Sequence, residues 1–355
     1  MRKIAYFSLA ALVCLGVALV AATDNGIRDS VLAYMPGQGS VKEEPVAVAT
    51  KELRIWRPDA ATQSAARTMP SGGMAPGSGT RLVIGRISSN ARKHWPRLEA
   101  MAEYLSVELA GRGVAGIDVV MVETEEEMRE LFRTGQVDFI SETAFQALEL
   151  TEDGVAEMLM REWKSGVPIY NTLIFTHRDS GIRTLRDLRG RRMVFEDPGS
   201  TSGYLVPRAA MARQGLNVTE LSGPQARPAE GTVGFQFADD EVNVVGRVHR
   251  GISDAGAISN LDWSDDDEVT PGQRADLVVV HETDPIIRSI VVVRSNLDPV
   301  LKERLATALE RMHESEAGRA TLDEYWKVAR FDRIEGEALQ SIVNAQIMHE
   351  VFNSF

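Results

Sequence analysis

The chain has 355 residues, 44% of them hydrophobic and 25% charged, with a formal net charge of −12. That is globular composition at a length that allows one large domain or two smaller ones, and the acidity argues against nucleic-acid binding, which needs basic patches, while still allowing a local positive pocket. One cysteine, Cys14, leaves no disulfide, no thiolate metal site and no cysteine nucleophile beyond the N-terminal segment.

Arg2 and Lys3 open the chain and Ile4 to Ala22 is an almost unbroken apolar run. At 1.5 Å per residue such a run spans roughly 30 Å, close to one hydrocarbon core. Residues 1–22 therefore read as an export element. They are either a signal peptide cleaved after Val20-Ala21-Ala22, a retained anchor, or a lipobox around Cys14. Residues 23–80, with Gly, Pro and Ser tracts at 35–40 and 70–79, read as a flexible linker, with a short structured patch possible around Glu52 to Arg57.

The folded part begins at Arg81. Leu82 to Gly85 predicts a strand, and Leu98, Met101, Leu105 and Leu109 put one apolar face on a helix over 94–112. Strands are predicted at 117–122 and 137–140, separated by a charged helix at 125–133. A longer β-rich run covers 170–176, a short helix 184–189 and a strand 193–195. Then come a helix containing Pro207, a helix at 242–250, strands at 255–258, 275–280 and 286–293, and terminal helices at 299–314, 318–327 and 335–352. This strand–helix alternation predicts an α/β fold with mainly parallel sheets flanked by helices.

Chemistry concentrates in Phe195 to Tyr204, where Met193 to Phe195 runs into Asp197-Pro198-Gly199-Ser200-Thr201-Ser202-Gly203. Three hydroxyls stand where a helix begins, and free N–H groups together with the helix dipole make that place an anion site. Plain N-capping by one hydroxyl is the competing reading. The six histidines show no paired metal spacing, and no motif near Ser200 supplies a base, so neither a metal, a cofactor nor catalysis is expected.

The hydroxyl turn joins an ordered set of motifs: Leu82 to Ile87; Thr134-Gly135-Gln136-Val137-Asp138; Tyr170-Asn171-Thr172-Leu173; Asp179-Ser180-Gly181-Ile182 ahead of Leu185-Arg186-Asp187-Leu188; Tyr204-Leu205-Val206-Pro207-Arg208; and Gly251-Ile252-Ser253-Asp254-Ala255-Gly256-Ala257. In this order they resemble the phosphate/phosphite/phosphonate-type substrate-binding proteins of ABC importers over about residues 82–335. The resemblance implies a two-lobed, type II periplasmic-binding-protein fold that closes like a hinged trap. Lobe 1 would be 81–178, lobe 2 179–284, and 285–355 a return to lobe 1 with the C-terminal helices.

By the same resemblance Ser200, Thr201 and Ser202 contact the anion, Tyr170 reaches it from the other lobe, and Asp254 lies near the pocket. Two departures stand out. Ser141-Glu142-Thr143 replaces an aromatic and a glycine, and Asp239-Asp240-Glu241 occupies a place that often holds histidine. If Glu142, Asp240 and Glu241 face the cleft, the ligand is protonated, neutral or zwitterionic; otherwise these acids are surface groups. Arg161, Trp163 and Lys164 match an Arg-x-Trp-Lys run in a related branch of the family, and Arg161 could fork onto an oxyanion. The expected partners are a small anionic or zwitterionic solute and either an ABC permease or a membrane sensor kinase. The protein would stand in the periplasm, tethered to the inner membrane by its N-terminal segment.

Overall fold

A computed structural model describes residues 51–68, 79–88, 90–223 and 225–354. Its strands, in chain order, are β1 Thr80–Ile87, β2 Val114–Val122, β3 Phe139–Glu142, β4 Ala156–Glu162, β5 Ile169–Tyr170, β6 Thr172–His177 and β7 Arg192–Phe195. They continue as β8 Val218–Glu220, β9 Val233–Phe237, β10 Ala255–Ser259, β11 Leu277–Glu282, β12 Ile286–Ile287, β13 Ser289–Arg294 and β14 Phe331–Asp332. Two six-stranded sheets result, ordered β14-β4-β13-β3-β1-β2 and β11-β6-β10-β7-β9-β8, and β5 pairs antiparallel with β12 between them. Each sheet is the floor of one lobe, and the β5–β12 pair is the double crossover. The chain therefore has the two-lobed α/β architecture read from its sequence.

Both faces of the second sheet are buried, which is why its parallel strands read as continuous apolar runs and not as alternating ones. Met193 and Phe195 pack on one side with Ile174, Tyr204 and Phe235, while Val194 packs on the other with Phe175, Val244, Val248 and Ile258. The first lobe packs Leu98, Met101 and Leu105 of helix Ala91–Glu108 against Leu82, Ile84 and Phe139. The helix seen in the sequence is thus real, with its face as predicted.

Several boundaries differ from expectation. The β-rich run 170–176 is broken at Asn171, whose N–H donates to Asn260 Oδ1 at 3.0 Å and whose amide donates to Glu282. This side-chain capture ends the hinge strand, and β6 belongs to the second sheet, so that lobe begins near 172 instead of 179. The run 286–293 is likewise divided, at Arg288, into β12 and β13.

Another difference lies before the first strand. Within the expected linker, residues 51–68 are structured. Arg54 and Trp56 exchange backbone hydrogen bonds with Met158 of β4 at 2.7 and 2.8 Å, and helix Ala60–Arg67 follows. The Trp56 ring packs on the first-lobe core with Lys302 Nζ 4.7 Å above it, and the Arg304 guanidinium donates to the Ala66 and Thr68 carbonyls at 3.2 and 2.9 Å. Among the described residues no helix is long and apolar enough to cross a membrane; residues 1–22 lie outside the described residues.

The last helix, Gly336–Asn353, touches both lobes. His349 Nε2 lies 3.1 Å from Glu149 and its ring meets Phe145 edge-on on the first lobe, while Phe352 meets Tyr204 and Arg208 on the second.

Candidate ligand site in the hinged cleft

Parallel strands aim their carboxyl ends, and the helices that follow, at one edge of the sheet, which is where ligands of open α/β sheets bind. In the first lobe that edge holds Arg86 at the end of β1, Glu142 at the end of β3 and Glu162 and Lys164 at the end of β4. In the second it holds Glu196 and the hydroxyl turn after β7, Glu241 after β9 and Asp262 after β10.

The three hydroxyls of the turn divide their roles. Ser200 accepts from the Gly203 N–H at 2.9 Å and donates to Glu196 Oε2 at 2.5 Å, so it is the N-cap of the turn Thr201–Leu205. Gly203 is needed for this clasp, since a Cβ there would stand 2.5 Å from the Glu196 carboxylate and 2.8 Å from Ser200 Oγ. Pro207 stands at the second position of the regular helix Val206–Arg213, one widened turn later. Pro207 thus begins the regular helix and does not kink it. Thr201 is 4% exposed, and its Oγ1 makes no hydrogen bond of ordinary geometry, with the Tyr170 hydroxyl as a weakly placed polar neighbour. The N–H groups of Thr201 and Ser202 donate to no acceptor among the described residues. These orphan donors are what an oxyanion at a helix start requires.

Tyr170 arrives from the crossover. Its buried hydroxyl lies beside those of Ser202 and Thr201, and the Arg288 guanidinium sits 5.1 Å from its ring centroid. Burial pushes this phenol up to about 12, against the pull of Arg288 and Ser202, so it remains a proton donor at neutral pH. Thr172 Oγ1 donates to the Ser202 carbonyl at 2.9 Å and ties the turn to the second-lobe sheet beside the hinge.

The acids fall into two groups. On the second lobe Glu196 is raised to about 8 by burial, against the Ser200 hydrogen bond, with Glu241, Asp197 and Asp262 adding repulsion. Glu241 is raised chiefly by burial as well, with Asp262 and Asp240 adding repulsion. Asp240, exposed, accepts from the Asn243 N–H at 2.7 Å as the cap of helix Glu241–His249. On the first lobe Glu142 is buried, 3.7 Å from Arg86 Nη1, and accepts from the Ile87 N–H at 3.4 Å; burial raises it. Thr143 begins helix Ala144–Glu152 without capping it and turns its hydroxyl to Gln146 at 3.1 Å.

Two expected positions lie elsewhere. Asp254 accepts from the Arg192 N–H at 2.8 Å at the entry of β7, the opposite end of that strand from Ser200, so it is a strand-end carboxylate and not a pocket group. Arg161 forks onto Asp332 at 2.8 and 2.7 Å, bracing β4 against β14. The cleft-edge groups Arg86, Arg288, Glu196 and Asp262 were not singled out from the sequence. The available signal was position: a charge at the last residue of a predicted parallel strand, or an arginine interrupting a β-rich run.

The model of the phosphonate-type periplasmic substrate-binding proteins of ABC transporters matches residues 88–339. The chain belongs to this family. Among curated relatives it is 27% identical over 181 residues to the phosphate-import protein PhnD of Mycolicibacterium smegmatis, covering 46% of this chain and 54% of that protein. It is also 28% identical over 138 residues to the tetrathionate sensor histidine kinase TtrS of Salmonella typhimurium, covering 37% of this chain and 22% of the kinase. The chain thus spans about half the length of the first relative and about a fifth of the second. Among solved structures, XAC2383 from Xanthomonas citri bound to ATP superposes with a TM-score of 0.71 at 29% identity, over 78% of this chain and 99% of that one. PhnD1 from Prochlorococcus marinus in complex with methylphosphonate gives 0.54 at 16% identity, over 78% and 99%, a likeness of fold. Membership of this phosphonate-type family carries a periplasmic location with it.

Proposed function

We propose that the protein is a periplasmic solute-binding component of an ABC importer that captures a small oxyanion or phosphonate-like ligand between its lobes and does no chemistry on it. The observation that carries this reading is the buried, unpartnered Thr201 hydroxyl beside two free N–H groups, with the Tyr170 hydroxyl next to it and Arg288 behind. An oxyanion supplies the missing acceptor for all of them. A few charge-assisted hydrogen bonds of about 1.5–3 kcal/mol each account for micromolar affinity, about −8.2 kcal/mol. Glu196, raised to about 8, and Glu241, also raised, present less negative charge to an anion than two ordinary carboxylates would, and their remaining charge also suits a zwitterion's amine. The apolar N-terminal segment would tether the domain to the inner membrane.

Calorimetric titration of the chain with phosphate, phosphite, methylphosphonate, sulfate and ATP tests the proposal. A ligand whose binding is lost in Thr201→Val supports it; no binding by any of them overturns it. A second reading, a ligand-sensing accessory subunit of a signalling system, draws on the identity to part of a sensor kinase. Deleting the gene separates the two: lost uptake of the ligand speaks for transport, whereas intact uptake with a lost transcriptional response speaks for sensing.

A further inference from the structure

The first-lobe edge carries a group of cations that the hydroxyl turn does not use. The Trp326 ring has the Arg86 guanidinium 4.9 Å from its centroid, that of Arg97 at 5.3 Å and Lys164 Nζ at 5.9 Å, with the His94 imidazole 5.6 Å away. Trp326 and its neighbour Lys327 hold φ of 56° and 52°, a left-handed backbone that side chains other than glycine rarely adopt and that gathers at functional sites.

These cations have donors to spare. Arg86 Nη1 pairs with Glu142 at 3.7 Å and donates to the Ser141 carbonyl at 3.0 Å, but its Nε is buried without a partner, as is His94 Nδ1. Among the described residues the Arg97 guanidinium and Lys164 Nζ donate no hydrogen bond and form no ion pair. The nearby carboxylates are Glu142 and Glu162. Burial raises both, and it lowers Lys164 against the pull of those two acids. His94 is lowered too, by burial and by Arg86, Lys93, Arg97 and Lys164. Desolvated donors without an anion are unfavourable, and a flat aromatic floor relieves only part of that. The group is connected to the hydroxyl turn: the Lys164 carbonyl accepts from Arg288 Nε at 3.2 Å, Arg288 covers Tyr170, and Tyr170 adjoins Thr201.

Resting on the oxyanion reading above, the geometry points to a second anion subsite on the first lobe, formed by Arg86, Arg97 and Lys164 around Trp326, so that the ligand carries two anionic groups. One group meets the orphan donors at Thr201 and the other lies against the cations. A ligand of this class bridges the lobes directly, whereas a single-headed anion leaves one subsite empty.

The test is calorimetric titration of the full chain with paired probes: methylphosphonate against ethane-1,2-diphosphonate, and methanesulfonate against ethane-1,2-disulfonate. At least one two-headed probe should bind tenfold or more tightly than its single-headed partner, and the better pair separates phosphoryl from sulfonyl chemistry. In Arg97→Ala, at a partly exposed position, and separately in Lys164→Met, that advantage should vanish. Equal affinity of both heads, or an advantage that survives both substitutions, overturns the second subsite and leaves the hydroxyl-turn reading intact. Failure of every probe to bind counts against both.

Discussion

Thr201→Val exchanges a buried hydroxyl for a methyl of the same shape. In the ligand-free protein Thr201 Oγ1 lies within a residue only 4% exposed and makes no hydrogen bond of ordinary geometry. A buried donor left unsatisfied costs about 1–3 kcal/mol, so removing it should leave the unliganded protein unchanged or up to about 1 kcal/mol more stable. Binding should respond in the opposite direction. A hydrogen bond to a charged acceptor contributes about 1.5–3 kcal/mol, which is roughly a 10- to 150-fold weaker Kd. Urea unfolding without ligand and calorimetric titration with the best-binding oxyanion measure the two quantities on the same sample. A loss of more than 1 kcal/mol of ligand-free stability with an unchanged Kd would show that the hydroxyl serves the fold, and the assignment of the turn as an anion site would be wrong.

Three further outcomes follow from contacts elsewhere in the molecule. Glu196 titrates at about 8 when folded and near 4.5 when unfolded, so the unfolded chain loses its proton first and stability should fall as pH rises between these values. Glu196→Gln should then match the parent below pH 4.5 and melt progressively higher than it towards pH 8; melting curves that run parallel from pH 4 to 9 refute the raised Glu196 carboxyl. Asp332→Ala leaves Arg161 buried without its fork and should lower the stability measured in urea by about 3 kcal/mol, much of it recovered when Arg161→Met and Asp332→Leu are combined. Trp56→Ala should cost about 3 kcal/mol in the same assay, and a chain beginning at Gly79 should lose at least as much as one beginning at Lys51 retains through that ring; no change in either would mean the 51–68 segment only rests on the surface.

What could be read from the sequence was whatever local patterning controls. Leu98, Met101 and Leu105 recur at helical spacing, and the helix they predict packs them inward. The Phe195–Gly203 segment carries its turn, cap and helix start within ten residues, so its place at a strand end follows from the chain alone. What escaped depends on tertiary partners. Asn171 breaks a β-rich run only because Asn260 and Glu282, far along the chain, capture it. Arg161 and Lys164 are three residues apart in one motif, yet Asp332 takes the first while the second stands without an ion pair over Trp326. Which of Ser200 and Thr201 caps and which stays free is decided by Glu196, whose carboxylate reaches the first hydroxyl and not the second. Residues 51–68 look like linker because their partners, Met158, Lys302 and Arg304, come later in the chain.

The C-terminal helix gives the trap a latch. Phe352 rests on Tyr204 and Arg208 of one lobe while His349, one turn earlier, is held by Glu149 and Phe145 of the other. Parting the lobes means peeling that ring away and wetting it, a penalty that a bare two-strand hinge would not impose. If that contact holds the lobes together without ligand, a solute enters only when it parts. Capture measured by stopped flow should level off with rising ligand concentration at the rate of opening, well below the diffusion limit. Phe352→Ala should raise that ceiling, trading a tighter grip for a quicker catch.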